Sequence, residues 1–204
     1  MKNPTLVSWI RLFLAFLVAA AIAIQLSHTI QIGGNAANFF SFFTIESNIL
    51  AAILFFVLSI SGLVSPGKRS GRFFEFIRGG ITLYMTMTGI IYIILLSGNE
   101  QALQTTIPWV NAVLHYVMPV AVLIDWLMHP PAQKIAYKKA LLWLLYPVTY
   151  LCYSLVRGSI VEWYPYPFIN PTMSGWSYVV MMCFIITIGV IVLIKILTLT
   201  PRRR

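Results

Sequence analysis

Acidic side chains are nearly absent from this sequence: there are five, and Asp125 is the single aspartate. Charged residues of both signs make up only 9% of the chain, hydrophobic ones make up 59%, and the mean hydropathy is +0.85. A soluble domain is closer to half apolar and about a quarter charged, so this composition excludes one. The solvent this chain is built for is lipid. Its 204 residues correspond to one compact unit. The two cysteines, Cys152 and Cys183, lie inside apolar runs without the spacing of a metal site or a disulfide framework, and small buried or lipid-facing side chains are their plain reading. There is no P-loop, no nucleotide fingerprint and no zinc motif, so no cofactor is expected. Nor does any internal repeat stand out, which weighs against an inverted-repeat transporter.

What the sequence does have is long apolar runs. A bilayer core of about 30 Å takes about 20 apolar residues as helix, and six stretches qualify: Val7–Leu26, Phe40–Leu63, Phe73–Leu96, Trp109–Met128, Lys138–Arg157 and Gly175–Leu199. The first, with Lys2, Arg11 and "AAAIAI", has the look of a signal peptide. Its apolar run is longer than a typical signal core of about 7–15 residues, so it is expected to remain as a span. The fold class is therefore all-α, a single integral membrane bundle of six transmembrane helices over residues 1–204.

The net charge of +9 raises the question of a nucleic-acid partner. The basic residues form short clusters between apolar runs, with none of the aromatic interleaving of a strand-binding groove, so no nucleic acid is expected. Lys2 and Arg11 open the first helix. Lys68, Arg69, Arg72 and Arg78 surround the second connection, Lys134, Lys138 and Lys139 the fourth, and Arg202, Arg203 and Arg204 follow the last helix. With six spans these sites share one side. Basic residues stay cytoplasmic, so both termini are expected in the cytoplasm. The other connections, Ser27–Phe39, Ser97–Pro108 and Gly158–Ser174, are then expected to face outward. The last of them holds "EWYPYPFIN", readable as an interfacial aromatic belt or as the rim of an outward-facing pocket.

Against this apolar background "FFTIESNIL", Phe42 to Leu50, places Thr44, Glu46, Ser47 and Asn48 almost together. Polar groups at membrane depth are expensive. At 1.5 Å per residue, Thr44 is expected roughly 6 Å below the outer end of its helix and His115 roughly 9–10 Å below the end of the fourth. Residues three and four apart share a face, so Thr44, Ser47 and Asn48 share one and Asn111 and His115 another, while Glu46 points elsewhere. Pro119, four residues past His115, clashes with the His115 carbonyl and is expected to kink the helix there. Thr88 and Tyr92 on the third helix, and Tyr153 and Arg157 on the fifth, fall in the same half of the membrane. Together these residues are expected to wall an outward-facing pocket inside the bundle.

Each polar residue has a plainer role as well. Intramembrane histidine and threonine often bond helices to one another or to themselves. A threonine hydroxyl becomes a nucleophile only when a base takes its proton, and imidazole suits that task. Glu46 and Arg157 are expected either to pair with each other, or Arg157 with Glu162, or Arg157 to hold the carboxylate of an amphiphile. Asp125 lies about 15 Å along the helix from His115, too far to orient it, and is expected to pair with Arg or Lys as a structural group. No Ser-His-Asp triad is available from that helix, and Asn111 is the nearest orienting group. Neither His28 nor His129 has a second ligand at metal spacing, and no metal is expected.

Three stretches in order, "FFTIESNIL", "WVNAVLHYVMPVAVLIDW" and "WYPYPF", together with the six-helix hydropathy, resemble the androgen-induced and androgen-dependent membrane hydrolases, and especially their prokaryotic six-helix branch. The likeness runs over nearly the whole chain. Its animal members are threonine hydrolases that cleave fatty acid esters of hydroxy fatty acids. The resemblance implies a catalytic pair at Thr44 and His115, a lipid-like ester substrate and a prokaryotic cell membrane location. The prokaryotic branch tends to carry Gln where this chain has Glu46. The reading that follows is an intramembrane ester hydrolase. Thr44 attacks the acyl carbonyl, His115 moves the proton, and Ser47, Asn48 or Asn111 donates to the oxyanion. A backbone oxyanion hole is not expected, because amides within a regular helix are already bonded. The alternative is a protein that binds or transports fatty acid or lipid in the same pocket without cutting it. Nothing in the sequence speaks to oligomeric state.

Overall fold

A computed structural model describes residues 4–67, 70–98 and 106–199. Lys2, Lys68, Arg69, Arg202, Arg203 and Arg204 of the charge pattern lie outside the described residues. Among the described residues all regular structure is helical. Six helices are long and apolar enough to cross a membrane: α1 (Pro4–Gln31), α2 (Phe43–Val64), α3 (Arg72–Leu96), α4 (Pro108–Met128), α5 (Tyr137–Val161) and α6 (Trp176–Thr198). Each apolar stretch of the sequence becomes one of them.

The ends follow local chemistry. Pro4 and Pro108 open α1 and α4, where a missing N–H costs nothing. Glu162 takes φ 55° and stops α5. The departure from the apolar pattern that shapes the site is at α2, which starts at Phe43 and not at Phe40. Asn35 caps a separate short helix, Ala36–Phe40, by accepting from the amides of Ala37 (2.8 Å) and Asn38 (3.3 Å). Ser41 closes that helix by donating to the Ala37 carbonyl at 2.7 Å. Phe42 is extended and α2 then begins afresh. Hydropathy cannot see such a break, because Phe40 and Phe42 are as apolar as the span they precede.

The helices alternate in direction. The starts of α1, α3 and α5 meet the ends of α2, α4 and α6: Ser59 Oγ donates to the Ser8 carbonyl at 2.7 Å, and Lys195 Nζ stands 5.1 Å from the centre of the Tyr137 ring. We call this the terminal end and the opposite one the loop end. Large apolar side chains such as Phe13, Ile94, Leu145 and Phe184 are exposed around the outside, as a lipid-facing surface requires.

The terminal end is held by charge. Arg11 on α1 donates to Asp125 Oδ1 through Nε (2.9 Å) and Nη2 (2.7 Å). Arg78 on α3 lies 3.5 Å from Asp125 Oδ2, pairs with Glu75 at 2.8 Å, and donates to the carbonyls of His129 (2.5 Å) and Asp125 (3.2 Å). Its guanidinium also covers the Trp126 ring at 5.0 Å. Arg78 is 4% exposed, so this member of the topology pattern is a packed structural group. Asp125 has the Arg partners its sequence context calls for.

Bare backbone lets α3 approach its neighbours. A Cβ on Gly79 would stand 2.4 Å from the Trp143 ring, whereas one on Gly189, in α6, would meet nothing within 4 Å. Close approach at small residues is how helices gain contact where lipid offers no hydrophobic drive. Gly79→Ala is therefore expected to cost about 1–3 kcal/mol by overpacking, and Gly189→Ala to be neutral or stabilising by up to about 1 kcal/mol through helix propensity. Thermal unfolding of both variants in the same detergent checks the contrast. Asp125→Ala removes the carboxylate that Arg11 and Arg78 share, leaving Arg78 only the Glu75 carboxylate, and the same assay is expected to show a loss of about 3–5 kcal/mol.

Candidate functional site

Near the loop end an apolar cavity of about 110 Å³ opens between α2, α3, α5 and α6. Its walls include Phe43 and Thr44 of α2, Met87 and Thr88 of α3, Pro147 and Tyr150 of α5, and Ile186 of α6. Tyr166, Phe168 and Ile169 of the α5–α6 connection close it from above and are themselves buried. The "WYPYPF" segment thus folds inward: Tyr166 stacks on Phe168 at 5.2 Å, while Trp163 meets Phe42 edge-on at 5.5 Å.

Thr44 is 6% exposed and sits in the first turn of α2, so its amide is one of the donors a helix start leaves unbonded. No side chain of α2 caps that end. Tyrosines from elsewhere do: the Tyr166 hydroxyl accepts from the Thr44 amide at 3.3 Å, and the Tyr150 hydroxyl accepts from the Phe43 amide at 3.2 Å while donating to the Ser41 carbonyl at 2.9 Å. The amides of Phe43 and Thr44 are thus bonded to phenols and not within a helix, because the helix begins later than hydropathy implies. Burial pushes the Tyr166 phenol above its ordinary value, and the Thr44 hydroxyl, the Thr44 amide and the Tyr150 phenol partly offset this.

Behind this wall a polar seam runs from α2 to α4. The Ser47 and Thr88 hydroxyls are 2.9 Å apart, and Thr88 donates to the Tyr84 carbonyl at 3.0 Å. Both amide hydrogens of Asn48 are used, on the carbonyls of Thr44 (2.9 Å) and Leu114 (3.1 Å). Asn111 donates to the Tyr92 hydroxyl at 2.6 Å. The Tyr92 ring lies flat on His115, with centroids 3.9 Å apart and planes 19° from parallel. His115 Nδ1 is 3.2 Å from the Asn111 carbonyl. A carbonyl only accepts, so that nitrogen carries the hydrogen in this contact.

The chain winds unusually here. Val113–Val117, containing His115, and Tyr92–Leu96 are both π-helical turns. Pro119 thus shapes its helix through a wider turn next to His115. Gly89 on α3 allows the approach, since a Cβ there would stand 2.9 Å from Pro119. Such turns recur at functional sites.

Thr44 and Thr88 reach the cavity wall, whereas His115 is 2% exposed and lies outside the lining, one helix behind. Ser47, Asn48, Asn111 and Tyr92 form the seam between. The amides expected to serve an oxyanion, on Asn48 and Asn111, are instead bonded to protein groups. Their oxygens, Asn48 Oδ1 and Asn111 Oδ1, are buried without a protein donor. Glu46 turns away to α5, where it accepts from Tyr146 at 2.6 Å. Arg157 donates to Asn38 Oδ1 at 2.6 Å and lies 5.3 Å from the Trp163 ring centre. The expected Glu46–Arg157 or Glu162–Arg157 pair is not formed: Glu46 and Arg157 each bond a neutral partner instead. Tyr153 is half exposed, with its hydroxyl 2.9 Å from Ser41 Oγ. It and Arg157 brace the α1–α2 connection, not the cavity.

Sequence reasoning missed Tyr150 and Tyr166. Tyr146 and Tyr150, spaced to share a face of α5, were a readable signal, but Tyr166 sits in a loop whose path no pattern reveals. Taken together, fold and cavity define an all-helical, multi-pass membrane protein with a polar seam beside a lateral apolar cavity. No protein-family model, no curated protein and no solved structure matches the chain.

Removing the Tyr166 hydroxyl uncaps α2. Tyr166→Phe is expected to cost about 0.5–2 kcal/mol, the scale of a lost N-cap. The sign of the pH effect follows from the raised pKa. A phenol held neutral by the fold contributes nothing pH-dependent below its unfolded value of about 10, and stability falls as pH rises past that value. Unfolding midpoints between neutral and strongly alkaline pH are therefore expected to drop in wild type and to drop less in Tyr166→Phe.

Proposed function

We propose that this protein is an intramembrane ester hydrolase with Thr44 as nucleophile and His115 as base, acting on a fatty acyl ester whose chain occupies the cavity. The observation that carries this reading is a buried threonine on the wall of an apolar cavity, on a helix that Asn48 bonds to the Leu114 carbonyl, the residue before the buried His115. The resemblance in "FFT", "WVNAVLH" and "WYPYPF" points the same way. In this reading the termini are cytoplasmic, by the distribution of Lys and Arg, the cavity lies in the outer half of a prokaryotic cell membrane, and the substrate enters sideways from the lipid.

The chemistry is acyl transfer in two halves. Thr44 Oγ1 attacks the ester carbonyl as its proton passes to His115 Nε2. Because the imidazole lies outside the cavity lining, in this reading water carries that proton between the two groups. The buried oxygens Asn48 Oδ1 and Asn111 Oδ1 are acceptors suited to holding it. The tetrahedral intermediate collapses, the C–O bond to the alcohol breaks, and the imidazolium returns the proton to the departing alkoxide. A second water, deprotonated by His115, then attacks the acyl-threonine and releases the acid and Thr44. In this reading the Phe43 and Thr44 amides at the start of α2 leave their Tyr150 and Tyr166 partners to donate to the developing oxyanion, and such donors contribute about 3–4 kcal/mol each.

One observation favours a second reading: His115 lies outside the cavity lining. On that reading the cavity holds a fatty amphiphile uncut. A fluorophosphonate probe and a chromogenic long-chain ester separate the two. Wild type is expected to label and to hydrolyse. Thr44→Ala should abolish both, and His115→Ala should slow turnover by about a hundredfold or more. Undiminished labelling of Thr44→Ala removes the nucleophile assignment. An unlabelled wild type in which both variants still bind a fluorescent fatty acid establishes the binding reading instead.

A further inference from the structure

The terminal end carries a separate cavity, of about 200 Å³, at the head of the seam between α3 and α5. Arg72, Lys134 and Lys139 line it together with Ser70, Gln133 and Phe76. These residues come from the α2–α3 connection, the α4–α5 connection and the starts of two helices, so the tertiary fold gathers them. Arg72 Nε donates to Gln133 Oε1 at 2.6 Å, which holds the guanidinium at the wall. Glu75 is on the same wall, but its carboxylate is engaged by Arg78 at 2.8 Å. A neighbouring cavity of about 370 Å³ shares Lys134 and adds Lys195. Three cations thus line the recess, with Lys195 in the cavity beside it, and their mutual repulsion is relieved when an anion sits among them.

The surroundings narrow the anion's class. Directly along the same two helices, Phe73 (78% exposed) on α3 and Leu142 and Leu145 (63% and 69%) on α5 face outward. Phe73 follows Arg72 directly and Leu142 lies one turn past Lys139, and cations of a recess within a turn of exposed apolar side chains match a molecule with a phosphate at one end and hydrocarbon at the other. Basic pockets between helices at a membrane surface bind anionic headgroups in this way.

We propose that this recess is a binding site for the phosphate of an anionic phospholipid, with the acyl chains lying along α3 and α5. It is distinct from the cavity at Thr44 and stands whether or not that cavity is catalytic. The test is native mass spectrometry of the full chain in neutral detergent with phosphatidylglycerol, phosphatidylcholine or inorganic phosphate. Phosphatidylglycerol adducts are expected to exceed phosphatidylcholine adducts several-fold and to survive millimolar inorganic phosphate. Each of Arg72→Gln, Lys134→Gln and Lys139→Gln should weaken them about fivefold. Lys138→Gln, exposed and outside the lining, should not. Equal binding of the two lipids, or undiminished phosphatidylglycerol binding in the triple variant, overturns the site. Displacement by inorganic phosphate assigns the recess to a free anion and overturns the lipid. If the triple variant does not fold, wild type decides: the phosphatidylglycerol excess must collapse as salt shortens the Debye length from about 10 Å to about 3 Å, and its persistence overturns the proposal.

Discussion

The bond from Asn48 to the Leu114 carbonyl is the hinge of this structure. In hydrocarbon an unpaired amide costs several kcal/mol, and Asn48 places both amide hydrogens on carbonyls, one on its own helix and one on α4. That fixes α2 against α4 one residue before His115. With that register set, Ser47 meets Thr88, Tyr92 lies on His115, and Thr44 is turned to the cavity. The polar seam is therefore first a packing device. The same arrangement, with a threonine hydroxyl at one side and an imidazole at the other, is what gives it chemical possibilities.

Helix α2 begins without a capping side chain of its own, and the bundle compensates with phenols from α5 and the α5–α6 connection. A tyrosine provides a hydroxyl on a long apolar stem, which suits a site where one end must be dry and the other polar. The aromatic layer around Phe43, including Tyr84, Tyr146 and Tyr150, then seals the helix start from lipid. The outcome is a threonine at a positively polarised helix end, the environment in which developing negative charge is best accommodated. The two ends of the bundle thus differ in kind, with hydroxyl and amide hydrogen bonds around the cavity at one and a charge cluster of Arg11, Glu75, Arg78 and Asp125, with His129 beside it, at the other.

Much of this was legible without coordinates. Six spans follow from apolar run length, and the shared face of Thr44, Ser47 and Asn48 follows from helical spacing, as does the turn of Glu46 away from them. The structural role of Asp125 follows from its distance to His115. The sequence misleads where a break is apolar, as at Phe40–Phe42. It also misleads where several partners compete, as for Glu46 and Arg157, which reach Tyr146 and Asn38 before they reach each other.

By itself, then, the sequence determined that the chain is a six-helix membrane bundle and which polar residues ride in its helices, because lipid imposes length, composition and charge placement on each segment separately. Only the tertiary structure decided which of those residues share a wall. Thr44 and Thr88 face the cavity, His115 stands one helix behind, and Tyr150 and Tyr166 arrive from distant segments. Such meetings depend on the rotation and register of whole helices, which are set by buried bonds and close contacts such as Asn48 to Leu114 and Gly89 against Pro119. No property of a single segment encodes them.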